Sequence, residues 1–218
     1  MTLRPIQLSA LFSILLISCG GLPTLRQTAF PPDCRKDQSV KELLKRGDTH
    51  RDLMMREITS SDIDEEQATQ IRKSYGTKAR TCYRFVLDTQ RDNAYALLNT
   101  GFTYLIESTF AEQTPETRDT TLVMATNFVQ QALDVQQFDA QSNYYLGEIA
   151  ARRGQCDKAL RIFNTLLASQ WSYSHVYVWT GYCLELQGNW KEAKQSYQKA
   201  ADLSNPVGIA EWARSRIR

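Results

Sequence analysis

The sequence has little that turns or breaks a chain: 10 glycines and 6 prolines in 218 residues, with much of that supply near the ends. The middle is correspondingly rich in Ala, Gln, Leu, Arg and Glu, all good helix formers. It lacks an excess of either charge, with 26 Lys and Arg against 24 Asp and Glu and a formal net charge of +2. Near-neutrality gives no reason to expect a nucleic-acid partner or an acidic substrate. There is no apolar run of the roughly 20 residues that a membrane-spanning helix needs; the one extended run, Ile6 to Ile17, is too short. Only two histidines occur, His50 and His175, far apart in sequence, and no His-Cys or His-Glu cluster has metal-ligand spacing. No glycine-rich phosphate loop is present, and the serines of "STF" and "SYSH" stand in no strand–turn–helix elbow. The acidic run Asp64-Glu65-Glu66 reads as a solvated helix start, which favours negative charge. No catalytic residue, metal site or cofactor is predicted, and the sequence points away from an enzyme.

The head of the chain, "MTLRPIQLSALFSILLIS", places one positive residue, Arg4, before the short apolar run. That is the plan of a secretory signal segment. The box that follows, Leu16-Ile17-Ser18-Cys19, resembles the lipobox of bacterial lipoproteins. The resemblance implies that residues 1–18 are removed and that Cys19 is acylated and becomes the first mature residue. Two or three acyl chains, at about 0.8 kcal/mol per buried CH2, would hold the protein on a bilayer almost permanently. Gly20 follows the cysteine where an Asp would favour the inner membrane, so the resemblance implies a lipid anchor in the outer membrane, facing the periplasm. Residues 19–38, with Gly20-Gly21, Pro23 and Pro31-Pro32, read as a flexible tether.

The body repeats itself. Setting "YYLGEIAARRGQCDKALRIFNTLL" (144–167) above "VWTGYCLELQGNWKEAKQSYQKAA" (178–201) aligns Gly147 with Gly181, Gly154 with Gly188, Ala159 with Ala193 and Phe163 with Tyr197, all at an offset of 34. Further back, Gly101 stands 46 residues before Gly147 while Ala125 stands 34 before Ala159. That unit therefore carries an insertion of 12 residues, at about 107–118. Ala79 and Tyr83 continue the second half of the frame, and "IDEEQATQIRKSY" before them lacks a glycine in the expected slot. Each unit carries apolar residues at helical intervals, a small residue where two helices approach closely, and a glycine at the reversal. A hairpin of this kind leaves one face bare, so a neighbour must stack on it.

A helix–turn–helix period of 34 with Gly, Gly, Ala and Phe or Tyr at these positions resembles the tetratricopeptide repeat. The resemblance implies an all-α, right-handed αα-hairpin solenoid of three to four repeats. The expected organisation is N-terminal helices and a degenerate repeat over 39–93, repeats over 94–207 and a capping helix over 208–218. In the N-terminal part Gly47 reads as a weak point of an amphipathic helix, and Ile209, Trp212 and Ala213 form the apolar face of the cap. The resemblance also implies a concave groove lined by the first helix of each unit. The residues in those slots are Tyr95, Asn99 and Phe102, then Tyr144, Tyr145, Glu148 and Arg152, then His175, Trp179 and Tyr182. An aromatic groove suits a protein or peptide partner, because aromatic rings give large contact area at low entropy cost. Apart from Arg152, the lysines and arginines of a carboxylate clamp are missing from these slots.

Cys19 being assigned to lipid, four cysteines remain, and an even number in an oxidising compartment suggests two bridges. Cys156 takes the slot that Trp190 takes one unit later, facing the next hairpin, which carries Cys183. The expected pairing is Cys156–Cys183, leaving Cys34–Cys82 to pin the tether to the body. The sequence thus predicts a membrane-anchored helical scaffold, either an adaptor in cell-envelope assembly or a regulator that docks a cell-wall enzyme.

Overall fold

In a computed structural model of the chain the residues described are 32–56, 64–110, 113–137, 139–171, 173–203 and 207–217. Helices start where a side-chain oxygen can meet an amide that has no helical carbonyl. Ser39 caps α1 (Val40–Met55), and Asp64 opens α2 (Glu65–Thr89) with a reciprocal capping box through Gln67. Asn93 caps α3 (Ala94–Glu107), Thr114 caps α4 (Pro115–Val135) with Pro115 behind it, and Asp139 caps α5 (Ala140–Arg152). Each such cap contributes about 1 kcal/mol. α6 (Cys156–Ala168) and α7 (Ser174–Leu186) start without one, and α8 (Trp190–Leu203) and α9 (Val207–Ile217) follow. Among the described residues all the regular structure is helical.

The ends of α5 and α7 share one design. Gly154 (φ 72°) and Gly188 (φ 79°) take the left-handed conformation. Around the first, the Gly154 amide donates to the Ala151 carbonyl at 3.0 Å and the Gln155 amide to the Ala150 carbonyl at 2.9 Å. This is the Schellman arrangement, and it satisfies carbonyls the helix has run out of partners for. α6 ends the same way, but the left-handed residue is Gln170 (φ 62°), and the turn it makes delivers Trp171 to the next helix.

Consecutive helices pair as hairpins, α1 with α2, α3 with α4, α5 with α6 and α7 with α8, and each hairpin packs on the next. One contact recurs in all four. A Cβ added to Gly47, Gly101, Gly147 or Gly181 would lie 2.5–2.6 Å from a carbon of Tyr83, Val129, Phe163 or Tyr197 respectively. The alanine four residues before each of those side chains (Ala79, Ala125, Ala159, Ala193) is buried. The glycine thus lets a ring or a branched chain lie flat against the partner backbone, and the alanine keeps the crossing close.

This contact corrects the frame of the first unit. The 65–89 segment is one continuous helix that carries Ala79 and Tyr83, so "IDEEQATQIRKSY" supplies no first half. The first half is α1, and Gly47, read as a weak point, is its packing glycine. The insertion in the second unit is absorbed partly as extra helix: α4 has 21 residues where α6 and α8 have 13 and 14. At the far end α9 packs on α8, with Ala213 buried and Trp212 edge-on to Tyr197 at 5.5 Å. Arg216 reaches back to pair with the Glu185 carboxylate on α7. The side chain of Ile209 lies outside the described residues.

The residues before α1 run as a strap along the first hairpin. A disulfide joins Cys34 to Cys82 on α2, with 5.3 Å between the Cα atoms. Asp33 pairs with Lys78 at 2.8 Å, Lys36 with Asp88 at 3.7 Å, and the Arg46 guanidinium donates to the Asp33 carbonyl at 3.1 Å. The segment from Asp33 onward is therefore fixed to the body, and the expected tether over 19–38 is shorter by that amount. The expected Cys156–Cys183 bond is not formed. Both are buried thiols in mutual contact across the boundary between α6 and α7, and burial raises the pKa of each, holding them protonated.

Candidate binding face

Stacking the hairpins brings their first helices, α1, α3, α5 and α7, side by side along one face. The two ends of that face differ in chemistry. At the N-terminal end Asp48 of α1 is a hub. Its Oδ1 accepts from the Tyr83 hydroxyl at 2.8 Å and from Arg51 at 3.2 Å, and its Oδ2 accepts from the Tyr95 hydroxyl at 2.9 Å. Arg51 also pairs with Asp52 at 2.9 Å and donates to the Asn99 side-chain oxygen. Burial pushes the Tyr83 phenol well above its ordinary range, so it stays a donor. The network ties α1, α2 and α3 together and fixes the Tyr95 ring, which is 46% exposed. Beside that ring an open hollow of about 810 Å³ is floored by Val40 and Leu44 and edged by Lys41 and Lys45.

The C-terminal end is filled by its own side chains. Arg152 donates to one Glu148 oxygen through Nε at 2.9 Å and through a terminal nitrogen at 2.7 Å, and both side chains are almost wholly buried. The Arg152 guanidinium lies 4.7 Å from the centre of the Trp179 ring. Tyr144 packs its ring against Tyr145 and Trp171, and burial first, then the Glu148 charge, raise its phenol well above the ordinary range. Tyr145 stacks on Phe102 at 4.9 Å and accepts from Gln141 at 2.9 Å. A charge pair removed from water at this cost holds only because each partner is hydrogen-bonded.

Of the residues assigned to the groove, Tyr95 is exposed and Phe102 and Tyr182 are half-buried. Asn99, Tyr144, Tyr145, Glu148, His175 and Trp179 are buried, and Arg152 is locked by its carboxylate. The expectation that these slots all line an open trough is corrected. α5 and α7 approach closely enough for their facing aromatics to become core. His175 illustrates the change. It is 6% exposed, its Nδ1 has only a 3.5 Å contact with the Ser174 hydroxyl, and its Nε2 has no partner among the described residues. Its ring stacks on Tyr173 at 4.6 Å, and desolvation drives its pKa down to about 4.

Sequence reasoning missed Tyr173, 51% exposed, and the half-buried Trp171, 5.7 Å from it. Both lie in the α6–α7 connection, outside the helical frame. It also missed Asp48 and Arg51, because α1 had not been recognised as a first helix. Cys19 lies outside the described residues. Among the described residues no helix is long and apolar enough to cross a membrane, and no three His, Cys, Asp or Glu side chains gather where they could hold a metal ion.

Two overlapping segments, 125–174 and 147–206, match the tetratricopeptide repeat family. Among solved structures the fold is similar to that of a thermophilic TPR protein of Thermus thermophilus, with a TM-score of 0.58 and 18% identity, over 82% of this chain and 99% of that one. Weaker likenesses are to the MamA protein (TM-score 0.36, 18% identity, 75% of this chain and 90% of that one). The same holds for YrrB, a TPR protein described as having an unusual peptide-binding site (TM-score 0.39, 16% identity, 82% and 98%). No curated protein matches the chain in sequence.

Proposed function

Starting from residues 125–206 being tetratricopeptide repeats, we propose that the molecule is a protein–protein interaction scaffold and not an enzyme. In this reading it is held on the outer membrane by lipid on Cys19, faces the periplasm, and serves as an adaptor in envelope assembly. The observation that carries the scaffold reading is the shared face of α1, α3, α5 and α7, where Tyr95 and Tyr173 remain half-exposed on a rigid frame. Exposed, pre-positioned aromatics are the usual anchors of interfaces. Export is supported by the Cys34–Cys82 disulfide, since such bonds persist in oxidising compartments, and by the charge, apolar run and cysteine at the head of the sequence.

Two measurements test this. Expressed in a Gram-negative host with labelled palmitate, the wild type should incorporate label and float with outer membranes, and Cys19→Ser should do neither. Unlabelled wild type would overturn the anchor. In capture from solubilised envelopes, Tyr95→Ala and Tyr173→Ala should lose a partner that wild type retains while keeping the helical circular dichroism of the wild type. The same proteins bound by wild type and both variants would overturn the proposed face. Tyr144→Ala is unsuitable as a control because that side chain is core.

A further inference from the structure

The hollow beside Tyr95 has a specific character. Its floor is apolar (Val40, Leu44 and the Tyr95 ring), and the carboxylates in its lining, Asp48 and Asp52, are both engaged by Arg51. Lys41 and Lys45, one helical turn apart on α1, have no ion-pair partner among the described residues. A second hollow, of about 650 Å³, shares Tyr95 and is lined by both Arg91 and Asp92, so it adds no net charge. In the first hollow Arg51 carries one charge against the two carboxylates of Asp48 and Asp52, so with Lys41 and Lys45 the group has a net charge of +1, with the two lysines beside an apolar floor. The chain's own leader is a poor match: residues 19–32, "CGGLPTLRQTAFPP", carry Arg26 and no carboxylate.

We infer that this hollow docks an extended acidic segment of a partner protein. Two carboxylates meet Lys41 and Lys45, and an apolar side chain on the same edge of the segment rests against Leu44 and Tyr95. Side chains two residues apart on an extended strand are about 6.8 Å apart on one side. That matches the roughly 6 Å between helix residues four apart. The segment therefore has the pattern acidic–x–acidic–x–apolar. The inference rests on the scaffold reading and narrows it, placing recognition at the N-terminal end of the face because the C-terminal end is filled by its own aromatics and the Glu148–Arg152 pair.

The test is fluorescence anisotropy on the full folded chain with three labelled peptides containing Glu-Ala-Glu-Ala-Leu, Gln-Ala-Gln-Ala-Leu or Lys-Ala-Lys-Ala-Leu. The Glu peptide should bind at least ten-fold tighter than the other two and weaken as salt is raised. The double variant Lys41→Glu, Lys45→Glu should lose at least ten-fold. The same reversal at Lys158 and Lys194, exposed on α6 and α8, should change nothing. Equal binding of the three peptides, binding of none, or full binding by the Lys41, Lys45 variant at an unchanged melting temperature overturns the inference. Envelope capture separates this from the wider reading. A partner retained by the Lys41, Lys45 variant but lost by Tyr173→Ala leaves the scaffold standing and removes this site. Capture of nothing by wild type removes the scaffold itself.

Discussion

Single backbone and side-chain states carry measurable energy here. Gln170 holds a left-handed conformation that Gly154 and Gly188 hold without steric cost. An L-residue with a Cβ spends about 1 kcal/mol there, so Gln170→Gly should raise stability by about that much in urea denaturation. Gly154→Ala, whose Cβ would meet nothing within 4 Å, should lose about 1 kcal/mol from the backbone alone. His175 makes a pH prediction. Its pKa is about 6.5 in the unfolded chain and about 4 in the fold, because burial disfavours the charged ring. A base with a depressed folded pKa is bound by protons first in the unfolded state, so stability falls as pH drops from about 6.5 towards 4 and levels off below. His175 should account for a loss of about 2 kcal/mol between pH 7 and 4.5, and His175→Gln should flatten that part of the profile. Burial also lowers the pKa of His50, which adds to the acid sensitivity and remains in the variant.

The hairpin is the unit at the scale of elements, and its defining contact is a glycine against a flat side chain. Gly147 and Phe163 show it most closely, at 2.5 Å for an added Cβ. Gly147→Ala should cost about 1–3 kcal/mol by overpacking. Phe163→Leu removes ring atoms from the same spot and costs about 1–3 kcal/mol as a core truncation. Combined, the two should cost clearly less than their sum, because the leucine vacates the volume the alanine needs. A double-mutant cycle in urea that comes out additive would mean the glycine acts by something other than close approach.

Over the whole molecule, stacking makes stability a matter of neighbours, and the only disulfide among the described residues lies at one end. Cys34–Cys82 closes 48 residues of sequence and constrains the unfolded state by about 4 kcal/mol on the chain-entropy account. Reduction, or Cys34→Ser with Cys82→Ser, should therefore destabilise the first hairpin by about 2–4 kcal/mol. The loss should appear in hydrogen exchange as faster opening of α1 and α2, while α5 to α8 keep their protection. Uniform loss along all the helices would show that the solenoid opens as one cooperative body.

The sequence by itself determined the repeat, because a period of 34 built from glycine, alanine and aromatic spacing is a local statement about where two helices touch. It determined the turns at Gly154 and Gly188 for the same reason. It paired Cys34 with Cys82 only by elimination, after an expected Cys156–Cys183 bond that the structure does not form. Gly47 was visible, but its partner Tyr83 stands 36 residues away, where Phe163 stands 16 from Gly147. A longer connection hides a hairpin from any fixed frame. Only the tertiary structure decided which face is open. Helical spacing says that Tyr95, Tyr144 and Trp179 point the same way from their helices, and says nothing of how close the next helix comes. That distance buries Tyr144 and Trp179 with the Glu148–Arg152 pair and leaves Tyr95 in water on the carboxylate of Asp48.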